Sequence, residues 1–217
     1  MDTLDCIKTR RSVRKFLDKE IPWDLLHKIL ESATYAPSSG NLQNWRFIIV
    51  TDPEKKHKIA EASLEQYWME TAPVLIVVCS LESKVERFYG LRGKRLYAIQ
   101  NCAAAIQNML LAAHSLGLAS CWVGAFDEEI IAKILGIDSS EARPQAIIPI
   151  GYPDESPTAP DRDKVEQVTY FNKWKERLKN KPAVFGYYGE VLREAVKKQL
   201  EKVKSKIAKQ KNKNRTH

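Results

Sequence analysis

Arg10-Arg11-Ser12-Val13-Arg14 and Ala36-Pro37-Ser38-Ser39-Gly40-Asn41-Leu42-Gln43-Asn44-Trp45 are the two runs around which the rest of the chain can be read. The first gathers three guanidinium groups and a hydroxyl within five residues, directly after a short amphipathic segment. Planar guanidinium forks match phosphate oxygens, so this run reads as an anion clamp. The second is small, polar and amide-rich, and it leads through a tryptophan into an apolar strand. Its backbone and amide groups can approach a flat heteroaromatic ring and pair with the ring's donors and acceptors. The two runs imply one ligand with a phosphate at one end and a hydrogen-bonding ring at the other, a description that flavin mononucleotide (FMN) satisfies.

Outward from these runs, helices alternate with short apolar strands. Leu4 and Ile7 predict a first short helix that delivers the arginines. Pro22 stands where a helix can begin, and Leu25, Leu26, Ile29, Leu30 and Ala33 form a stripe at helical spacing that must end before Pro37. Residues 47–50 and 74–78 read as buried strands, and Asp52-Pro53 as a cap followed by proline at the first helical position. A long helix is expected from about residue 94 to 116, ended by Gly117. A third strand follows at residues 119–123, a short helix from Asp127 to Gly136, and a fourth strand at residues 146–150. The pattern favours one α/β or α+β domain. Beyond a proline-rich turn at residues 153–160, Leu192, Val196, Leu200, Val203 and Ile207 predict an amphipathic helix with lysines on its other faces, running into a disordered tail.

The formal charge of +8 on 217 residues is uneven. Residues 190–217 hold ten Lys or Arg against three Glu, a net +7, so the rest of the chain is near +1. The basic character belongs to the tail. That tail has no aromatic residue after Tyr188, so base stacking is unsupported and nucleic acid is not expected as a partner. The longest apolar stretch, residues 72–79, is too short to span a bilayer, and the acidic start Met1-Asp2-Thr3-Leu4-Asp5 has no secretory pattern, so a cytoplasmic protein is expected, with no membrane partner. Cys6, Cys79, Cys102 and Cys121 form no C-x-x-C pair and read as buried free thiols. The four histidines show no ligand spacing, so no metal site is expected. No G-x-G-x-x-G follows a strand, which argues against a Rossmann dinucleotide site.

In this order, the two opening runs, Ala72-Pro73, residues 101–113, Ser115-Leu116-Gly117-Leu118-Ala119-Ser120-Cys121-Trp122-Val123-Gly124-Ala125-Phe126 and Ile150-Gly151-Tyr152-Pro153 are similar to the nitroreductase family of FMN-dependent oxidoreductases. The resemblance covers roughly residues 3 to 170. It implies an α+β sandwich with a central mixed sheet flanked by helices, in an intertwined homodimer with FMN at the interface. Residues 1–170 would form the FMN-binding domain and residues 171–217 a C-terminal extension. By the same resemblance Arg10, Ser12 and Arg14 contact the phosphate, ribityl chain or pyrimidine edge, and Arg11 adds backbone or side-chain contacts. Pro37, Ser38, Ser39 and Asn41 line the flavin from the partner subunit, and Val123 and Gly124 bring backbone close to N5. Arg162, or failing it Lys164, closes on the phosphate.

The residue chemistry agrees with parts of this. Asn41 and Gln43 carry amides suited to the ring's O2, O4 and N3–H groups, and no side chain is required as a catalytic acid or base. Asn101 stands where many of the resembled proteins carry an acidic residue, and a helix-packing hydrogen bond is the role expected of it. The implied activity is ping-pong two-electron transfer from NADH or NADPH to a nitroaromatic, a quinone or a similar small electrophile. Same-fold alternatives are a dehalogenase or an enzyme of dimethylbenzimidazole synthesis, and the discriminating lid would be residues 81–94. That segment holds Phe88, Tyr89 and Arg92, with Arg95 just beyond, and shows no clear match to a dehalogenase lid. Arg92 or Arg95 would receive an anionic substrate or the NADPH 2′-phosphate, unless the segment is simply a solvated charged loop.

Overall fold

The structure is a computed structural model that describes residues 1–177 and Lys197. The chain divides into two compact units, Met1–Ala159 and Pro160 onward. The expected basic helix and tail lie outside the described residues, Lys197 apart.

The first unit is organised by β1 (Trp45–Val50), β2 (Val74–Ser80), β3 (Ala119–Ser120) and β4 (Arg143–Gly151), in the order β1-β2-β4-β3. Each adjacent pair is antiparallel. The parallel component of the expected mixed sheet comes down to one isolated bridge between Ser12 and Ser120. All seven residues of β2 are buried because both faces of the sheet are covered. Val74, Ile76 and Val78 face a core shared with α2 (Trp23–Thr34) and α5 (Ala98–Ser115), through Leu26, Ile29, Ile106 and Met109. Leu75, Val77 and Cys79 face the opposite core with α3 (Pro53–Ala62) and α6 (Glu128–Leu135), through Ile59 and Ile131. The result is a helix–sheet–helix sandwich of the α+β class. Among the described residues no helix is long and apolar enough to cross a membrane.

Two expectations need correction. The third strand stops at Ser120 instead of running to Val123, although the register continues: Ala119 pairs with Gly151, Ser120 with Ile150, and Val123 bridges Ile147. Cys121 donates its N–H to the Pro149 carbonyl at 3.3 Å, but proline has no N–H to return the bond. The ladder therefore lapses for two residues and re-forms at Val123, whose N–H and C=O both pair with Ile147. The long helix, for its part, begins at Ala98 and not at 94. The segment expected as a lid is α4 (Glu82–Arg92), followed by a π-helical turn, Gly93–Tyr97, that runs into α5. Gly93 sits so close to α4 that a Cβ there would come within 2.8 Å of the Val85 carbonyl oxygen. At its far end α5 closes in a Schellman turn, with Gly117 at φ +78° and Leu118 N–H donating to the Ala113 carbonyl at 2.9 Å.

Candidate functional site

The arginine run is positioned by α1 (Thr3–Thr9), a seven-residue helix capped by the Asp2 carboxylate, which accepts from the Leu4 and Asp5 amides. Beyond it the chain is extended and stitched to the sheet. Val13 N–H donates to the Ser120 carbonyl at 3.2 Å, and Leu17 N–H to the Tyr152 carbonyl at 2.9 Å. A cleft of about 420 Å³ opens along this seam, lined among others by Thr9, Arg10, Arg11, His114, Ser120 and Glu155. Arg11 donates from Nη1 to the Lys8 and Arg10 carbonyls, both at 2.8 Å, so it closes the end of α1. The Arg10 guanidinium is half-buried and has no hydrogen-bond partner among the described residues. Glu155 accepts the Arg14 N–H, while the Arg14 side chain lies 6.0 Å from the Trp68 ring. A cleft with one uncommitted guanidinium, a second beside it and a single carboxylate fits a phosphate monoester.

The amide-rich run forms a different surface. Ser39–Asn41 is a single 3-10 turn with Gly40 at φ +55°, and Asn41 and Gln43 are also left-handed, at +56° and +48°. For glutamine that conformation is strained. It is held by Gln43 Nε2, which donates to Asn41 Oδ1 at 3.0 Å, and by Gln43 N–H, which donates to Ser38 Oγ at 3.1 Å. Gly40 cannot be replaced freely, since a Cβ there would stand 2.7 Å from the Tyr89 hydroxyl of α4. Below the turn lies a buried polar chain. Ser39 N–H donates to Asn101 Oδ1 at 2.9 Å, Asn101 Nδ2 to Asn44 Oδ1 at 2.7 Å, and Asn44 Nδ2 to Ser80 Oγ at 2.8 Å and to the Ala98 carbonyl at 3.2 Å. The amide and hydroxyl of Ser39 are thus both committed to Asn101, and Pro37 and Asn41 form the exposed face of the turn with half-buried Ser38 between.

None of Pro37, Ser38, Ser39, Asn41 and Gln43 lines the arginine cleft. Val123 is buried on Ile147, and Gly124 is exposed, with nothing within 4 Å of where a Cβ would sit. Flat groups can therefore approach the backbone there. Arg162 and Lys164 belong to the second unit, where both are exposed and Lys164 precedes the short α7 (Val165–Val168). On α4, Phe88, Tyr89, Leu91 and Arg92 are exposed. Tyr89 meets Tyr97 edge-on at 5.4 Å, and Arg92 Nε donates to the Tyr97 hydroxyl at 3.0 Å. Arg143 forks to Glu128 at 2.6 and 2.8 Å and reaches Glu82 at 3.3 Å, which anchors the first turn of α4.

The four cysteines are free and buried. Burial pushes the Cys79 thiol up to about 11 and Cys102 up to about 12, and it raises Cys121 against the partial relief of nearby Arg14. Raised values mean that thiolate is absent at neutral pH. A disulfide reagent at pH 8 is therefore expected to label fewer than one thiol per native chain and all four after denaturation.

Three contributors to this architecture carried no local signal. Asn44, fully buried, was masked by its polar neighbours in the run, whereas Asn101 could be singled out as an isolated amide in an apolar helix. Glu155 and His114 come into the cleft from the segment after β4 and from the last turn of α5.

The sequence model described as Nitroreductase family matches residues 7–68 and 64–152. A protein of Methanothermobacter thermautotrophicus, named as a candidate NADH dehydrogenase/NAD(P)H nitroreductase, is 38% identical over 178 residues, covering 80% of this chain and 88% of its own. The iodotyrosine deiodinase of Haliscomenobacter hydrossis is 29% identical over 185 residues, covering 73% and 82%. Among solved structures, an FMN-dependent nitroreductase of Clostridium difficile R20291 superposes with a TM-score of 0.68 at 30% identity, over 79% of this chain and 99% of that one.

Proposed function

The chain belongs to the nitroreductase family, and from that premise we propose that it is a cytoplasmic NAD(P)H-dependent flavin oxidoreductase that works as a homodimer with FMN at the subunit interface. Bound there, FMN supplies the exchange of two electrons as hydride between NAD(P)H and a small flat acceptor, such as a quinone or nitroaromatic. The observation that carries the reading is the cleft in which Arg10 and Arg11 converge beside Ser120 with one guanidinium unspent.

In this reading Arg10 and Arg11 hold the phosphate, Ser12 the ribityl chain, and Arg14 places positive charge at the pyrimidine edge. The exposed backbone at Gly124, next to buried Val123, accepts the ring closely because no side chain intervenes there. Pro37, Ser38, Ser39, Asn41 and Gln43 would meet the ring of the partner's cofactor, which accounts for a turn so firmly held yet outside its own subunit's cleft. Apolar side chains left exposed on α1 and α5, Leu4, Ile7 and Ile99, offer surface for the second subunit. The exposed face of α4 would select the acceptor.

The purified protein is expected to show flavin absorption bands that bleach anaerobically with NADH or NADPH and return on addition of a quinone. A colourless protein that takes up no added FMN would refute the reading. Reductive dehalogenation is the second reading, favoured by the deiodinase relative. Reoxidation of the bleached protein by an iodotyrosine and not by a quinone would select it.

A further inference from the structure

His114 lines the arginine cleft from the last turn of α5 and takes no part in the roles assigned above. Its Nε2 lies 2.9 Å from Thr9 Oγ1. The Thr9 hydroxyl is itself 2.6 Å from the Asp5 carbonyl oxygen, an acceptor only, so the single hydroxyl proton is spent there. Thr9 must then accept from His114, which fixes the neutral ring as the Nε2–H tautomer and leaves the lone pair on Nδ1. Nδ1 has no hydrogen-bond partner among the described residues.

The charged side chains lining the cleft are Arg10, Arg11 and Glu155, whose carboxylate already accepts the Arg14 N–H. Burial, then Arg10 and then Arg11, holds the imidazole below its ordinary value of 6.5, so it is neutral at pH 7 while the cleft holds no anion. A dianionic phosphate monoester between the two guanidiniums would cancel the charge that opposes protonation. The position in the last turn of a helix favours a cationic ring as well.

Resting on the flavin reading above, we infer that His114 is a proton-accepting third member of the phosphate clamp. As the phosphate docks between Arg10 and Arg11, a proton from solvent adds to Nδ1, and the ring gains a second N–H donor and a positive charge. The sign of the linkage follows. Binding takes up protons in the window between the lowered value of His114 without phosphate and its higher value in the complex, and affinity falls as pH rises through the latter.

The test is an NMR titration of histidine ring nitrogens in the full-length chain loaded with FMN, with riboflavin, or with neither; His114→Gln assigns the resonance. His114 is expected to titrate at least about one unit higher with FMN than with riboflavin, which corresponds to about a tenfold change in affinity across the window. Accordingly, FMN affinity should fall as pH rises through the His114 value observed in the complex, and vary much less in His114→Gln. A ring that titrates no higher in the FMN-loaded protein than in the flavin-free one overturns the inference while leaving FMN binding intact. An equal upward shift with riboflavin also overturns it, because the phosphate would then be irrelevant. A chain that takes up neither flavin overturns the inference together with the proposed function.

Discussion

Alanine at both Arg10 and Arg14 is expected to strip FMN from a chain that remains folded. Hydrogen bonds to charged groups contribute about 1.5–3 kcal/mol each, so losing two weakens FMN binding about 10²- to 10⁴-fold. The fold should tolerate the change because neither side chain supports it. The Arg10 guanidinium has no hydrogen-bond partner among the described residues, and Arg14 offers only its approach to Trp68 at 6.0 Å. The backbone bonds of both survive, Arg10 N–H to the Cys6 carbonyl and Arg14 N–H to Glu155. Arg11 is a poorer choice, since Arg11→Ala also removes two bonds that close α1. Riboflavin separates the roles. Arg10→Ala alone should spare riboflavin binding, which lacks the phosphate, whereas Arg14→Ala should weaken both flavins. Unchanged flavin content in the double variant, measured from the absorbance of the purified protein, would defeat the phosphate assignment.

What could be read from the chain was whatever is contiguous along it. The arginine run ends a short helix and joins the sheet within a few residues, so its place at the mouth of a cleft follows from local pattern. The continuous apolar run of β2 and the stripe of α2 were legible for the same reason, as an unbroken apolar strand reports two covered faces and a helical stripe reports one. What escaped notice depends on pairs far apart in sequence. The third strand lapses because Pro149, on another strand, cannot return a bond to Cys121. His114 shows no ligand spacing along the chain, and nothing in its sequence neighbourhood places Thr9 or Arg10 beside it. Asn44 is the sharpest case. It sits in the polar run, yet it is the one residue there that is fully buried, satisfied by Ser80, Ala98 and Asn101.

That buried chain has only one consistent proton arrangement. The Ala98 carbonyl can only accept, so Asn44 must direct its NH₂ there, and its Oδ1 faces Asn101. Asn101 must then give its own NH₂ to Asn44, which leaves Oδ1 for the Ser39 amide. Asn101→Leu would leave the Ser39 N–H and Asn44 Oδ1 without partners. At about 1–3 kcal/mol for each unsatisfied buried group, a loss of about 2–6 kcal/mol is expected, read as a lower urea midpoint at unchanged slope. Flavin content should fall too, since the strained turn at residues 40–43 hangs from this bond.

Asn101→Asp distinguishes hydrogen bonding from packing. A protonated aspartic acid reproduces the asparagine, donating to Asn44 Oδ1 and accepting from Ser39. An ionised one sets a buried charge against Asn44 Oδ1, so the folded state raises the carboxyl above its ordinary value of about 3.9. A carboxyl raised by folding contributes its stability below the unfolded value and loses it as pH rises through the folded one. The deficit of Asn101→Asp should therefore shrink from pH 8 toward pH 5, while that of Asn101→Leu stays constant. Equal stability of Asn101→Leu and the wild type, or a deficit in Asn101→Asp that ignores pH, would mean that the turn is held by something other than this chain of amides.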